Sequence, residues 1–288
     1  MNSPIWRFPL GEGVSKAVDW IMATFSVVFN FLKFIFEVSF DGILWIFSTP
    51  PFWVIILVLV VVAYLAKGWK LALGALIGFT VIYTLNQWGN AMNTLSLTLL
   101  ASLIVVIVGV PLGIFAAKSD RASAMIRPIL DFLQTMPAFV YLIPTVMIFR
   151  AGVVPGLVAT MVFALAPAVR LTELGIRQVD SEVTEAGRAF GSSSGRILRQ
   201  IELPLAMPTI MAGVNQVIML ALSMVVIAGM VGAGGLGLEV YKALTQVRVG
   251  PGFEAGLSVV LLAVFLDRVT GALGSRSPIA KAERLAAE

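Results

Sequence analysis

The chain contains no cysteine and no histidine. Their absence removes thiolate nucleophiles, imidazole bases, disulfides and the common zinc and haem ligands together. No Gly-x-x-x-x-Gly-Lys-Ser/Thr run occurs, so the chain lacks the usual phosphate loop for cradling a nucleotide. Charge is scarce as well. Asp, Glu, Lys and Arg make up 12% of the residues, where a soluble domain has about 25%. These charges form no basic block, which argues against nucleic acid as a partner. No carboxylate lies at the middle of an apolar run: Asp131, Glu173 and Asp267 all fall toward an end. Proton-coupled carriers generally place an acid at the membrane midplane, so this counts against them. A sodium-coupled carrier that uses backbone carbonyls is excluded less firmly. No nucleophile and base pair suggests an enzyme. Residues 1–13 do not lead into a short apolar core with a small-residue cleavage site, so no removable signal peptide is expected.

What is present is apolar. Of 288 residues, 59% are hydrophobic and the mean hydropathy is +0.96, against about 45–50% apolar residues in soluble domains. The excess needs lipid to cover it, and an all-α integral membrane protein is expected. A crossing takes about 20 apolar residues. Seven runs qualify or nearly do: 52–66, 71–85, 95–117, 129–149, 153–169, 208–231 and 255–273. The first two are short. The last is interrupted by Asp267 and Arg268, read as the point where it leaves the hydrocarbon.

Lys and Arg mark cytoplasmic loops. Lys67 and Lys70, then Lys118, Arg121 and Arg127, then Arg177, Arg188, Arg196 and Arg199, and finally Arg268, Arg276, Lys281 and Arg284 fall on one side of seven crossings. The N-terminus is then outside and the C-terminus cytoplasmic, with Lys242 and Arg248 a minor exception. Ahead of these runs, residues 14–40 carry Lys16, Asp19, Ser26, Asn30, Lys33, Glu37 and Asp41 at helical spacing. That is a helix with one wet edge, suited to the membrane interface with Trp20 and Trp45 at headgroup level. An eighth crossing is the alternative.

The longest polar stretch is 177–207. Val183, Ala186, Ala189 and Phe190 recur at helical spacing, Gly191 and serines 192–194 turn the chain, and a short basic segment leads to Pro204 and Pro208. Glu185-Ala186, Gly191 and Ile201-Glu202-Leu203-Pro204 resemble the signature of bacterial ATP-binding-cassette importer permeases: Glu-Ala-Ala, three residues, Gly, nine residues, Ile, any residue, Leu-Pro. One position departs, Gly187 for the second Ala. The segment 131–144, Asp-Phe-Leu-Gln-Thr-Met-Pro-Ala-Phe-Val-Tyr-Leu-Ile-Pro, resembles the glycine betaine, proline betaine and choline permeases. So does Gly232-Ala-Gly-Gly-Leu-Gly237, which also recurs in methionine-type permeases.

The resemblance implies a type I importer transmembrane fold with a five-helix core over 91–275, two accessory helices over 51–90, an N-terminal segment 1–50 and a tail 276–288. It implies a coupling helix around Glu185, Ala186, Gly187, Arg188 and Gly191, with Ile201, Leu203 and Pro204 on its return arm. The implied partners are a cytoplasmic ATPase dimer, which holds the ATP and Mg, an extracytoplasmic substrate-binding protein and a second copy of this chain. No cofactor or metal is expected in the chain itself. Pro137 and Pro144 are expected to kink the fourth crossing, leaving Gln134, Thr135, Met136, Pro137 and Tyr141 as candidates for the passage wall. Gly234 and Gly235 are candidates for an external gate.

Overall fold

The computed structural model describes residues 10–274, and among them every regular element is helical. In chain order these are α1 (Leu10–Thr24), α2 (Ser26–Ser48), α3 (Phe52–Lys67), α4 (Trp69–Thr84), α5 (Trp88–Lys118), α6 (Asp120–Thr135), α7 (Ala138–Phe149) and α8 (Val153–Arg177). Then come α9 (Ser181–Ala189), α10 (Ser194–Ile197), a π-helical turn (Leu198–Glu202), α11 (Leu203–Met230), α12 (Gly235–Thr245) and α13 (Val249–Gly274). Among the described residues four stretches are long and apolar enough to cross a membrane unaided: α5, α8, α13, and α10 running through the π turn into α11. Helices α3 and α4 are shorter apolar helices that pack on each other and on α13.

The core is built on α5, α8 and α11. In lipid, burying apolar side chains between helices gains little, so association relies on close van der Waals approach through small residues. A Cβ added at Gly109 would sit 2.6 Å from the Ala168 Cβ, and one at Gly113 would sit 2.6 Å from both the Thr172 Cβ and the Val169 carbonyl oxygen. The α8–α11 contact is made the same way: Gly156 faces Ala228 at 2.8 Å, Gly175 faces Thr209 at 3.0 Å and Gly213 faces Leu171 at 3.0 Å.

Two expectations need correction. The run 129–149 is not one kinked helix. It is α6 and α7, bent by 98° at Met136–Pro137. Met136 is extended (φ −69°, ψ 133°), as the residue before a proline tends to be, and Pro137 has no N–H to continue the ladder. Tyr141 Oη donates to the Leu133 carbonyl across this break. Pro144, by contrast, sits inside α7 without ending it. The N-terminal stretch is likewise two helices, bent by 77° at Phe25, a site with neither Pro nor Gly to announce it. The polar stripe therefore continues only along α2, where Ser26, Asn30, Glu37 and Asp41 are exposed and Lys33 pairs with Glu37 at 3.7 Å. The opposite face of α2 turns inward, with Phe40 buried and Phe36, Ile43 and Phe47 packed on the core.

Overpacking a tight contact costs about 1–3 kcal/mol. Gly113→Leu should fall at the upper end, because the opposing carbonyl oxygen belongs to the backbone. Gly74→Leu on α4, where nothing lies within 4 Å, should be close to neutral. Thermal unfolding of the detergent-purified variants checks the contrast.

Candidate functional site

The connection from α8 to α11 folds from its own sequence. The Asp180 carboxylate accepts from the Glu182 N–H at 2.9 Å and caps α9. Gly191 ends the helix at φ +77°, where L side chains are strained. Its N–H donates to the Arg188 carbonyl at 2.9 Å and the Ser192 N–H to the Gly187 carbonyl at 3.1 Å. Gly187 is where the two arms of the loop touch: a Cβ there would lie 2.8 Å from Ile201 Cδ1 and 3.6 Å from Ile197 Cγ1. The glycine that departs from the family signature therefore faces the signature isoleucine.

Among the described residues the outer face of α9 is uncovered. No residue of α9 is buried. Val183, Glu185, Ala186, Arg188 and Ala189 are exposed, and Phe190 is 91% exposed. Neither Glu185 nor Arg188 makes an ion pair among the described residues. An uncovered aromatic flanked by unpaired charges is a surface shaped for contact with another protein.

The return arm is anchored by charge. Glu202, 6% exposed, ends the π turn and pairs with Lys118 at the end of α5. Nearby, Glu173 on α8 accepts from Ser123 Oγ at 2.7 Å, from Arg127 at 2.9 Å and from Arg177 at 3.0 Å. Arg177 also donates to the Ala116 carbonyl at 3.0 Å and pairs with Asp120 at 2.8 Å. Asp131 pairs with Arg170, and these side chains border a cavity of about 320 Å³. The network fastens the end of α5 and the start of α6 to α8. Sequence reasoning treated Lys118, Arg127 and Arg177 as markers of sidedness and left Glu202 in the variable slot of the motif. Lys118 and Arg127 find their acidic partners far along the chain, where no local pattern exposes them; of these pairs only Arg177 with Glu173 has the local i, i+4 spacing.

The glycine turn after α11 lies at the other end of α5, which at about 1.5 Å per residue is about 46 Å long. Gly232, Gly234 and Gly235 have φ of +92°, +78° and +68°. The Leu236 N–H donates to Thr94 Oγ1 at 2.9 Å in a buried bond, and a Cβ at Gly235 would meet Asn93 Oδ1 at 2.8 Å. Gly152 N–H donates to the Val231 carbonyl at 2.8 Å. Gly234 and Gly235 are thus held by α5, through Asn93 and Thr94, which sequence reasoning did not single out. The turn also leads into α12, a helix not expected from the sequence.

Of the passage candidates, Gln134, Thr135 and Pro137 are exposed at the α6–α7 break and Met136 is half-buried. Tyr141 is buried, and its hydroxyl donates to the Leu133 carbonyl. The structure therefore separates three places: the loop, the break and the glycine turn.

Residues 109–277 match the binding-protein-dependent transport system inner membrane component family, and the chain belongs to that family. Within it, the chain is 45% identical over 264 residues to the glycine betaine transport system permease protein OpuAB of Bacillus subtilis (strain 168), spanning 92% of this chain and 94% of that protein. It is 44% identical over 269 residues to the glycine betaine/proline betaine transport system permease protein ProW of Escherichia coli (strain K12), spanning 93% of this chain and 76% of that one. The trimethylamine N-oxide transport system permease protein TmoV of Ruegeria pomeroyi is 42% identical over 214 residues, 74% of this chain and 32% of that protein. Among solved structures, an inward-facing MetNI methionine ABC transporter aligns with a TM-score of 0.59 at 20% identity, over 63% of this chain and 91% of that one. The fold is that of the type I importer transmembrane subunit, and the chain is a multi-pass inner-membrane component of a transport system.

Two substitutions test the anchors. Thr94→Val removes the acceptor of the buried Leu236 N–H, which should cost about 1–3 kcal/mol and loosen the turn, whereas Thr94→Ser should not; hydrogen exchange at the Leu236 amide reports the difference. Lys118→Met should cost about 2 kcal/mol, less than the about 3–5 of a fully buried pair because the lysine reaches solvent. Adding Glu202→Leu should recover part of that loss, as read from thermal unfolding in a double-mutant cycle.

Proposed function

We propose that this chain is the membrane-spanning subunit of an ATP-driven importer for a betaine-type quaternary ammonium solute or a related osmolyte. Glycine betaine, proline betaine, choline, carnitine and trimethylamine N-oxide form the cargo class. The observation that carries the reading is the α9 loop, which has the spacing of the family signature from Glu185 to Pro204 and an outer face that is exposed among the described residues. The names of the relatives support the cargo class.

In this reading a cytoplasmic ATPase dimer seats the outer face of α9 and holds ATP and Mg. Two copies of the chain form the pore, so that a closed two-fold pair presents two loops to two ATPases. The lysine and arginine distribution puts the loop and the C-terminus in the cytoplasm and the N-terminus outside; Arg276, Lys281 and Arg284 lie outside the described residues. A separate extracytoplasmic protein holds the cargo in an aromatic cage and delivers it. Nucleotide binding closes the ATPases and moves α9. Its motion passes through Ile201 and Ile197 against Gly187, and through Glu202 to Lys118, into α5 and α11. At the far end of α5 the glycine turn follows. The coupling is a two-state equilibrium biased from both sites.

Gly191→Val puts a β-branched residue at φ +77°, and a non-glycine residue in the left-handed region costs about 1–2 kcal/mol. The variant should reach the membrane in normal amount but lose glycine betaine uptake and cargo-stimulated ATP hydrolysis in the assembled complex. Normal uptake by it contradicts the docking role. Uptake driven by an ion gradient without nucleotide would establish a secondary carrier instead.

A further inference from the structure

The exposed face of α11 differs in kind from that of its neighbours. On α5 the exposed residues include Leu103, Ile107, Val108 and Phe115, large apolar side chains suited to lipid. On α11, between the exposed Met207 and Met230 near its ends, the exposed residues are Ala212, Gln216 and Ser223. Spacings of four and seven put the three on one side of the helix. The Gln216 amide makes no hydrogen bond among the described residues. Ser223 Oγ donates back to the Met219 carbonyl at 2.9 Å, which leaves its lone pairs free. Hydrocarbon satisfies neither group. This face also leads somewhere: Ile227, one turn beyond Ser223, packs on the same buried cluster as Met136 and Ala138. It thus meets the α6–α7 break where Gln134, Thr135 and Pro137 are exposed.

We infer that this face of α11 is a wetted wall of the translocation path, in which the Gln216 amide donates to the carboxylate end of a passing betaine-type solute. The solute assignment rests on the function proposed above; the wetting does not. Ala212 keeps the wall open beside Gln216, and the half-buried Met219 supplies a soft apolar contact for methylammonium groups.

Because the chain has no cysteine, single cysteines report directly on water. Gln216→Cys, Ser223→Cys and, as a control, Ile107→Cys are placed in the assembled ATPase complex in membrane vesicles and treated with a charged, membrane-impermeant methanethiosulfonate. A thiol in hydrocarbon stays protonated, and each unit of raised pKa cuts the reactive thiolate about tenfold. Positions 216 and 223 should label at least about tenfold faster than 107, and glycine betaine with its binding protein should slow labelling at 216. Ala212→Cys, the smallest change, carries the same comparison if the Gln216 variant does not assemble. Labelling of 216 and 223 no faster than 107 overturns the wall, and oxidative cross-linking of 216 between two copies without labelling assigns the face to a dry dimer contact. Fast labelling that glycine betaine leaves unchanged keeps the wall and counts against the betaine cargo.

Discussion

The near-contact of the α5 and α8 backbones at Gly109 and Gly113 is the constraint on which the molecule depends. Lipid gives these helices no hydrophobic reason to associate, so the bundle holds because small residues let carbonyls, methyls and Cα atoms approach closely. Once α5 is fixed against α8, both of its ends are fixed as well. One end carries Lys118 to Glu202 and the loop; the other carries Asn93 and Thr94 to the glycine turn. A stiff helix of about 46 Å then joins two places that no short-range contact could link.

Charge works at one end of this frame. Glu173 is almost fully buried yet has a serine and two arginines around its carboxylate, and Glu202 is buried against a lysine. Removing a partner would strand a buried charge, so each group holds its neighbours in register. The charges of α9 do the opposite. Among the described residues Glu185 and Arg188 make no ion pair, and Phe190 is 91% exposed. The contrast between a satisfied network at the base of the loop and an unsatisfied surface at its tip separates anchoring from docking.

Much of this was legible in the residues. Composition and run length showed a membrane bundle, and α5, α8, α11 and α13 fall on apolar runs read from hydropathy. The α9 helix and its Gly191 turn followed from helical spacing and a glycine. The right-angle break at Pro137 was not legible as such: Pro111, Pro128, Pro144, Pro167 and Pro208 all sit inside helices, so proline alone does not say which helix will divide. At Pro137 the preceding Met136 is extended and the Tyr141 hydroxyl bonds the Leu133 carbonyl across the break. The bend at Phe25 and the helix α12 left no local mark. The anchors were missed for a different reason: Glu202 and Lys118 are 84 residues apart, and only folding makes them a pair.

In the proposed assembly the outer face of α9 seats in a nucleotide-hydrolysing partner. With no native cysteine to compete, a photo-cross-linker attached through Phe190→Cys, on the complex purified with its ATPase, tests it most directly. An adduct between the loop and the ATPase, with a yield that changes when nucleotide closes the ATPase dimer, is expected. An adduct with lipid or with another copy of the chain alone, or labelling of that cysteine from outside the cell, would contradict it.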